Sequence, residues 1–185
     1  ECGATRVHIR PTSFYQTISF QAPRLYSIVR DWAALSGDEV VYDLYCGLGS
    51  IALFVADAVA RIVGIENLEE AVLQARENAA LNGIHNTEFV LGEVEKQLNA
   101  DFFARHGKPD LIILDPPRAG LHPKVVPALL EARVPRIIYV SCKPSTQACD
   151  VEILSESYEI VRSKAVDMFP QTTHIENVME LRLRE

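Results

Sequence analysis

The chain has 185 residues, 48% of them apolar, with a net charge of −7 and a pI near 5.3. That length suits one domain built on a single core. The acidic balance argues against a stand-alone nucleic-acid binder, since phosphate neutralisation needs clustered Lys and Arg. No apolar run reaches membrane-spanning length, and no signal segment opens the chain.

The first residue is Glu1 rather than Met, so an excised domain is expected. Four cysteines (Cys2, Cys46, Cys142 and Cys149) form no C-x-x-C pair, which predicts reduced thiols in a cytoplasmic setting. No His/Cys/carboxylate set has metal-ligand spacing, so no metal is expected.

Residues 1–20, which include PTSFYQTISFQAP, read as an irregular polar-aromatic lead-in, and 21–185 as the main domain. A helix is predicted over Pro23–Leu35, with Leu25, Ile28, Val29 and Trp32 on one face. The stretch Val40–Ala56, VVYDLYCGLGSIALFVA, reads as a buried strand, a glycine turn and an apolar helix opening near Ser50. Gly47 and Gly49 allow a sharp bend and the close approach of a ligand. The helix start aims unpaired N–H groups and a partial positive charge at that ligand. A second strand, Arg61–Ile65, ends on Glu66, about 20 residues past the turn, where doubly wound folds place an acid on ribose hydroxyls.

The helix after Glu66 carries Asn67 as its predicted cap, Glu70 three residues on and Gly83 beyond its end. Ala71, Val72, Ala75, Ala79 and Leu81 form its expected sheet-facing side. Thr87–Leu91 is a third strand, followed by Gly92, Glu93 and a helix over Val94–His106. Asp110–Leu114 is a fourth strand, Pro123 opens a helix, Arg136–Val140 is a fifth strand and Ser145–Ser155 is helical. Two closing strands, Glu159–Val166 and Val178–Leu183, are expected to pair antiparallel. Five β–α repeats and such a pair imply an α/β three-layer sandwich with a mainly parallel sheet.

Gly47, Gly49 and Ala52 also satisfy G-x-G-x-x-A, which leaves a dinucleotide reading open. Asp43, ahead of the first glycine, favours a ligand with a cationic amino-acid end, such as S-adenosylmethionine, over a pyrophosphate it would repel. Sites in open α/β sheets gather at the carboxyl ends of strands. There Asp115-Pro116-Pro117-Arg118 presents a carboxylate on a stiffened loop. Cys142, in S-C-K-P, is either a small buried hydrophobe or a nucleophile whose thiolate Lys143 and a helix N-terminus would favour. Cys46 and Cys149 read as structural. The segment MFPQTTHIENV carries His174 and Glu176, two residues apart, between the closing strands.

Together SFYQ (13–16), DLYCGLGS (43–50), DPPRAGL (115–121), VSCKPST (140–146) and MFPQTTHIE (168–176) resemble the RNA uracil-5-methyltransferases, which form 5-methyluridine in tRNA or rRNA. The resemblance covers that family's C-terminal catalytic domain alone. It implies a seven-stranded Rossmann-like class I methyltransferase sheet, S-adenosylmethionine as cofactor, RNA as partner and a monomer. The family's RNA-binding β-barrel and its iron–sulfur site have no counterpart here. The resemblance makes Cys142 the nucleophile and Glu176 the general base. It places Gln16, Tyr45, Ser50, Glu66, Glu93 and Asp115 beside cofactor or target base. Arg118 and Lys143 are candidates for contact with uracil O4. The chain departs from the usual S-C-N-P-A-T at Lys143 and Ser145, and from S-F-F-Q-T-N at Tyr15 and Ile18. Competing readings are an amino-methyltransferase of D-P-P-Y type, a cytosine-5 RNA methyltransferase, a non-catalytic S-adenosylmethionine-binding module and an NAD-dependent dehydrogenase. Arg118 in place of the D-P-P-Y aromatic counts against the first.

Overall fold

Strands buried on both faces cannot alternate apolar and polar residues, and four strands here are apolar almost throughout. They are β1 (Val40–Leu44), β2 (Arg61–Glu66), β4 (Leu111–Leu114) and β5 (Arg136–Ser141). The computed structural model describes residues 22–168, 172 and 175–185. In it these strands join β3 (Thr87–Leu91), β6 (Tyr158–Val166) and β7 (Glu176–Leu183) in one seven-stranded sheet of order β3-β2-β1-β4-β5-β7-β6. β7 runs antiparallel to both its neighbours, and the other strands are parallel to one another. The antiparallel strand thus lies inside the sheet, between β5 and β6.

Alternate strand residues feed two cores. Val41, Ile62, Leu111, Ile113, Ile138 and Val140 pack with α1 (Ala22–Ala33), α2 (Ser50–Val55) and α3 (Glu69–Leu81). Tyr42, Val63, Ile65, Ile112, Ile137 and Tyr139 pack with residues of α4 (Val94–Gln97), α5 (Ala100–His106), α6 (Val125–Ala132) and α7 (Pro144–Leu154). The result is the expected three-layer sandwich. Among the described residues, no helix is long and apolar enough to cross a membrane.

Below the sheet, buried Glu180 of β7 accepts from Arg136 at 3.1 Å and Arg162 at 2.6 Å. Arg136 also donates to the carbonyls of Ala33 and Trp32, and the Arg162 guanidinium lies 4.6 Å from the Trp32 ring centroid. These charge-assisted bonds clamp the end of α1 to β5, β6 and β7.

Several predicted elements differ in detail. The helix expected over Val94–His106 breaks into α4 and α5, because the Asn99 side chain accepts from Phe102 N at 3.0 Å and starts a new helix. Asn67 does not cap α3. Leu68 holds that position, and the amides of Asn67 and Leu68 instead donate to the Glu66 carboxylate. Leu81 is 51% exposed, and the buried side of α3 is completed by the polar residues Gln74 and Asn78. The helix is therefore rotated from the face its apolar residues alone suggest.

Candidate active site

The sheet order reverses between β1 and β4, so the crevice opens at their carboxyl ends. There the chain leaves β1 through three left-handed residues, Tyr45 (φ 64), Gly47 (φ 52) and Gly49 (φ 77). The turn is pinned from several sides. Tyr45 N and Cys46 N donate to Ile65 O at 3.0 and 3.1 Å, and Asn78 Nδ2 donates to Leu48 O at 3.3 Å. The two glycines do different things. A Cβ on Gly47 would meet no atom within 4 Å, so its backbone is open to a ligand. A Cβ on Gly49 would stand 2.8 Å from the Phe89 ring, so that glycine serves packing. Ser50 begins α2, a helix of only six residues.

Glu66, at the end of β2, is held by three amides. Gly47 N donates to Oε2 at 3.1 Å, and Asn67 N and Leu68 N donate to Oε1 at 2.8 and 2.9 Å. One carboxylate therefore fixes the turn and faces the ground above Gly47. Glu93 stands just past Gly92, whose N–H bonds Glu66 O at 2.9 Å, so both acids share one end of the sheet. Glu93 is exposed and ion-paired with Lys96, whose hydrogen bond holds its carboxyl below the usual range.

Acids crowd the rest of the crevice. Asp43, 1% exposed, accepts from Ala52 N at 3.1 Å through Oδ2, while Oδ1 has no hydrogen-bond partner among the described residues. Burial, then the charge of Glu66, pushes its carboxyl up to about 7. Asp115, at the end of β4, is pushed up to about 8 by burial, then by Glu176 and Asp43. Burial also raises the Tyr45 hydroxyl to about 12.

The antiparallel pairing of β5 and β7 sets the remaining geometry. Val140 pairs with Val178 and Ser141 with Asn177, so the register runs on to put Cys142 opposite Glu176. Glu176 is 2% exposed, and its Oε2 has no hydrogen-bond partner among the described residues. Burial pushes its carboxyl up to about 7, and Arg118 pulls against that rise. The Cys142 thiol is raised by burial, then by Glu176 and Asp115, with Arg118 again opposing. This corrects the expected activation of the thiol. Lys143 is an exposed helix-capping residue, and the cation that acts on the sulfur is Arg118, from the loop after β4.

The site residues among those described lie at or just beyond the strand ends that meet here: Asp43, Tyr45, Gly47, Gly49 and Ser50 along β1 and its turn, Glu66 at the end of β2, Glu93 past β3, Asp115 and Arg118 after β4, Cys142 after β5 and Glu176 at the start of β7. Gln16, the SFYQ segment and His174 lie outside the described residues. Cys46 is buried against Gly64, whereas Cys149 is exposed, because α7 buries Gln147, Val151 and Leu154 instead. Sequence reasoning missed Asn78, Gln147 and Asp150. For Asn78 and Gln147 the signal was present as polar residues placed within the buried sides of α3 and α7. Gln147 donates to Tyr139 O at 2.8 Å and accepts from Asn177 at 2.6 Å.

Comparison with known proteins agrees with this geometry. The sequence model of the tRNA (uracil-5-)-methyltransferase family matches residues 11–184. A relative from Porphyromonas gingivalis, described as an uncharacterized RNA methyltransferase, is 51% identical over 98% of this chain and 39% of its own length. One of the same description from Bacteroides thetaiotaomicron is 48% identical over 100% of this chain and 40% of its own. The chain thus spans about two fifths of the curated relatives it matches. Among solved structures, the Pyrococcus abyssi tRNA (uracil-54, C5)-methyltransferase in complex with S-adenosyl-L-homocysteine superposes with a TM-score of 0.83. It is 35% identical, over 96% of this chain and 42% of that one. The N-methyltransferase NodS from Bradyrhizobium japonicum, at 11% identity and a TM-score of 0.73, shares the fold alone. With nearly its whole length matched by one family, in a class I methyltransferase sheet, the chain belongs to the tRNA (uracil-5-)-methyltransferase family.

Proposed function

We propose that this chain is the catalytic domain of an S-adenosylmethionine-dependent RNA methyltransferase that forms 5-methyluridine in tRNA or rRNA through a covalent cysteine adduct. Residues 21–185 would be the catalytic unit and 1–20 its lead-in. It would work as a monomer in the cytoplasm, and RNA-binding elements elsewhere in a longer protein would fit the acidic charge of this part. The observation that carries the reading is that β5 and β7 pair in register up to Ser141 and Asn177, which sets Cys142, the next residue along one strand, against Glu176, the first residue of the other.

The residues present suit the cofactor. Asp43 keeps an unpartnered oxygen, Gly47 leaves its backbone open, and Asp43, Asp115 and Glu176 are all held short of full ionisation at neutral pH. Such a cluster is relieved by a cation and aggravated by a pyrophosphate, which disfavours the dinucleotide reading. Asp43, Glu66, Glu93, Tyr45, Ser50, Gly47, Gly49 and Asp115 would hold S-adenosylmethionine, with Gln16 added from the lead-in. When bound, it supplies an electrophilic sulfonium methyl to a carbon nucleophile.

The chain's own groups must then make a carbon nucleophile from uracil C5. Cys142 gives up its proton to solvent and adds to C6 as the thiolate, which moves electron density onto C5 and O4. Arg118, or Lys143, would stabilise the enolate oxygen. After methylation, Glu176 removes the C5 proton, the C5–C6 double bond re-forms and the thiolate leaves. A carboxyl at about 7 is a stronger base than an ordinary glutamate, which suits that step. The raised thiol stays protonated until nearby cations raise the local electrostatic potential and so favour the thiolate. The uridine must leave its stack to reach the crevice, and a single-stranded loop makes that cheap.

Two variants test the reading. Cys142→Ala is expected to abolish methyl transfer to RNA, and Glu176→Gln to accumulate a covalent RNA–protein adduct seen as a shifted band. Turnover that survives the cysteine substitution would sink the proposal, and absence of an adduct would remove Glu176 as the base.

A further inference from the structure

Asp115 and Arg118 can act on the thiol only if the loop that carries them is held against α7, the helix that follows Cys142. That loop, residues 115–121, is anchored by side chains of α7 that the reaction itself does not use. Asp150, on α7, accepts from Leu121 N at 3.0 Å and from Tyr139 Oη at 2.6 Å, both through Oδ2. Gly120 lies flush on the same spot. Its φ is +86, and a Cβ there would stand 2.9 Å from Asp150 Oδ2 and 3.3 Å from Thr146 Cβ. Thr146 adds a hydroxyl contact to Arg118 O at 3.4 Å and a bond to Lys143 O at 2.9 Å. Tyr139 is a buried residue of β5, so the anchor runs from the sheet through α7 to the loop.

We propose that Asp150 is a positioning residue, whose carboxylate locks the 115–121 loop onto α7 so that Arg118 stays turned toward Cys142 and Glu176. The proposal rests on the reading of Cys142 and Glu176 as the reacting pair. Among the described residues, the charged groups that act on the thiol are Glu176 from β7 and Asp115 and Arg118 from the loop, with Lys143 next to it in the chain. Direct and indirect effects of losing Asp150 therefore have opposite signs. Removing a nearby negative charge favours the thiolate, whereas releasing Arg118 disfavours it.

The test is the rate of Cys142 alkylation by iodoacetamide against pH, followed on the Cys142 peptide by mass spectrometry, because Cys142 is half-buried and the exposed Cys149 reacts as well. The series comprises the wild type, Arg118→Ala, Asp150→Ala and the double variant. Asp150→Ala is expected to move the thiol titration upward, as Arg118→Ala does, slowing alkylation at neutral pH about tenfold for each pH unit moved. The double variant should move no further than Arg118→Ala alone. Methyl transfer in Asp150→Ala should fall about 10- to 100-fold in kcat, the usual consequence of a small misplacement. Asp150→Asn, which keeps an acceptor in place, should stay close to wild type.

A downward or absent movement in Asp150→Ala overturns the proposal, as do additive shifts in the double variant or an Asn variant that behaves like Ala. Should Asp150→Ala fail to fold, Asp150→Ser, too short to reach Leu121 N, is judged by the same outcomes. Alkylation needs no RNA, so this result stands apart from the turnover of Cys142→Ala, on which the functional reading depends.

Discussion

Replacing Glu176 by Gln should make the ligand-free protein progressively more stable relative to wild type as pH rises from acid to alkaline. The fold holds this carboxyl from 4.5 up to about 7, chiefly through burial. The folded chain thus keeps a proton that the unfolded chain releases. Stability from this group is complete below about pH 4.5 and is lost as pH rises through about 7. The gap of about 2.5 pH units corresponds to at most about 3 kcal/mol. Gln does not titrate, so the stability difference between variant and wild type should grow by up to about 3 kcal/mol between pH 4 and pH 8. The amide that replaces Oε2 has no partner among the described residues and costs about 1–3 kcal/mol, but it does so at every pH and cancels from the comparison. Asp115, relieved of the Glu176 charge, shifts the balance the same way. Urea unfolding at a series of pH values, with equal m-values as the control, measures the difference. A difference that stays flat or shrinks as pH rises would refute the reasoning.

Gly49→Ala should cost about 2–4 kcal/mol in the same assay, from a left-handed φ of 77 and a Cβ driven into the buried Phe89 ring. Gly47→Ala has no such clash, so it should cost only about 1 kcal/mol while weakening cofactor binding; equal losses at both positions would contradict the split drawn between them. S-adenosylmethionine should bind more tightly as pH rises from 6 to 8.5, because a cation favours the ionised forms of Asp43 and Asp115, held at about 7 and 8. Each proton released at binding steepens the dependence by about tenfold per pH unit. Calorimetry in buffers of different ionisation enthalpy counts those protons, and an affinity that does not change with pH would count against the acidic pocket.

The strand cores, the glycine turn and the acid of β2 were legible because each depends on local chemistry: an apolar run, a residue without a side chain, a carboxylate at a strand end. The rotation of α3 was not, because Gln74 and Asn78 look like surface residues until the neighbouring turn uses Asn78 to hold Leu48 O. The break at Asn99 could have been read from its capping chemistry, yet apolar periodicity masked it. Lys143 misled because adjacency in the chain is not proximity of charge, and its exposed side chain points no field at the sulfur comparable with that of Arg118.

By itself the order of residues determined that Cys142 follows a buried strand and that Glu176 precedes one, together with the motifs that name the family. Only the tertiary structure decided that those two strands are antiparallel neighbours in register, which brings residues far apart in the chain face to face. Pairing across a sheet is a long-range choice, made by the whole packed core rather than by either segment. The same choice put Asp43, Asp115 and Glu176 in one crevice, where burial first, and then neighbouring charges that no single motif encodes, set how each holds its proton.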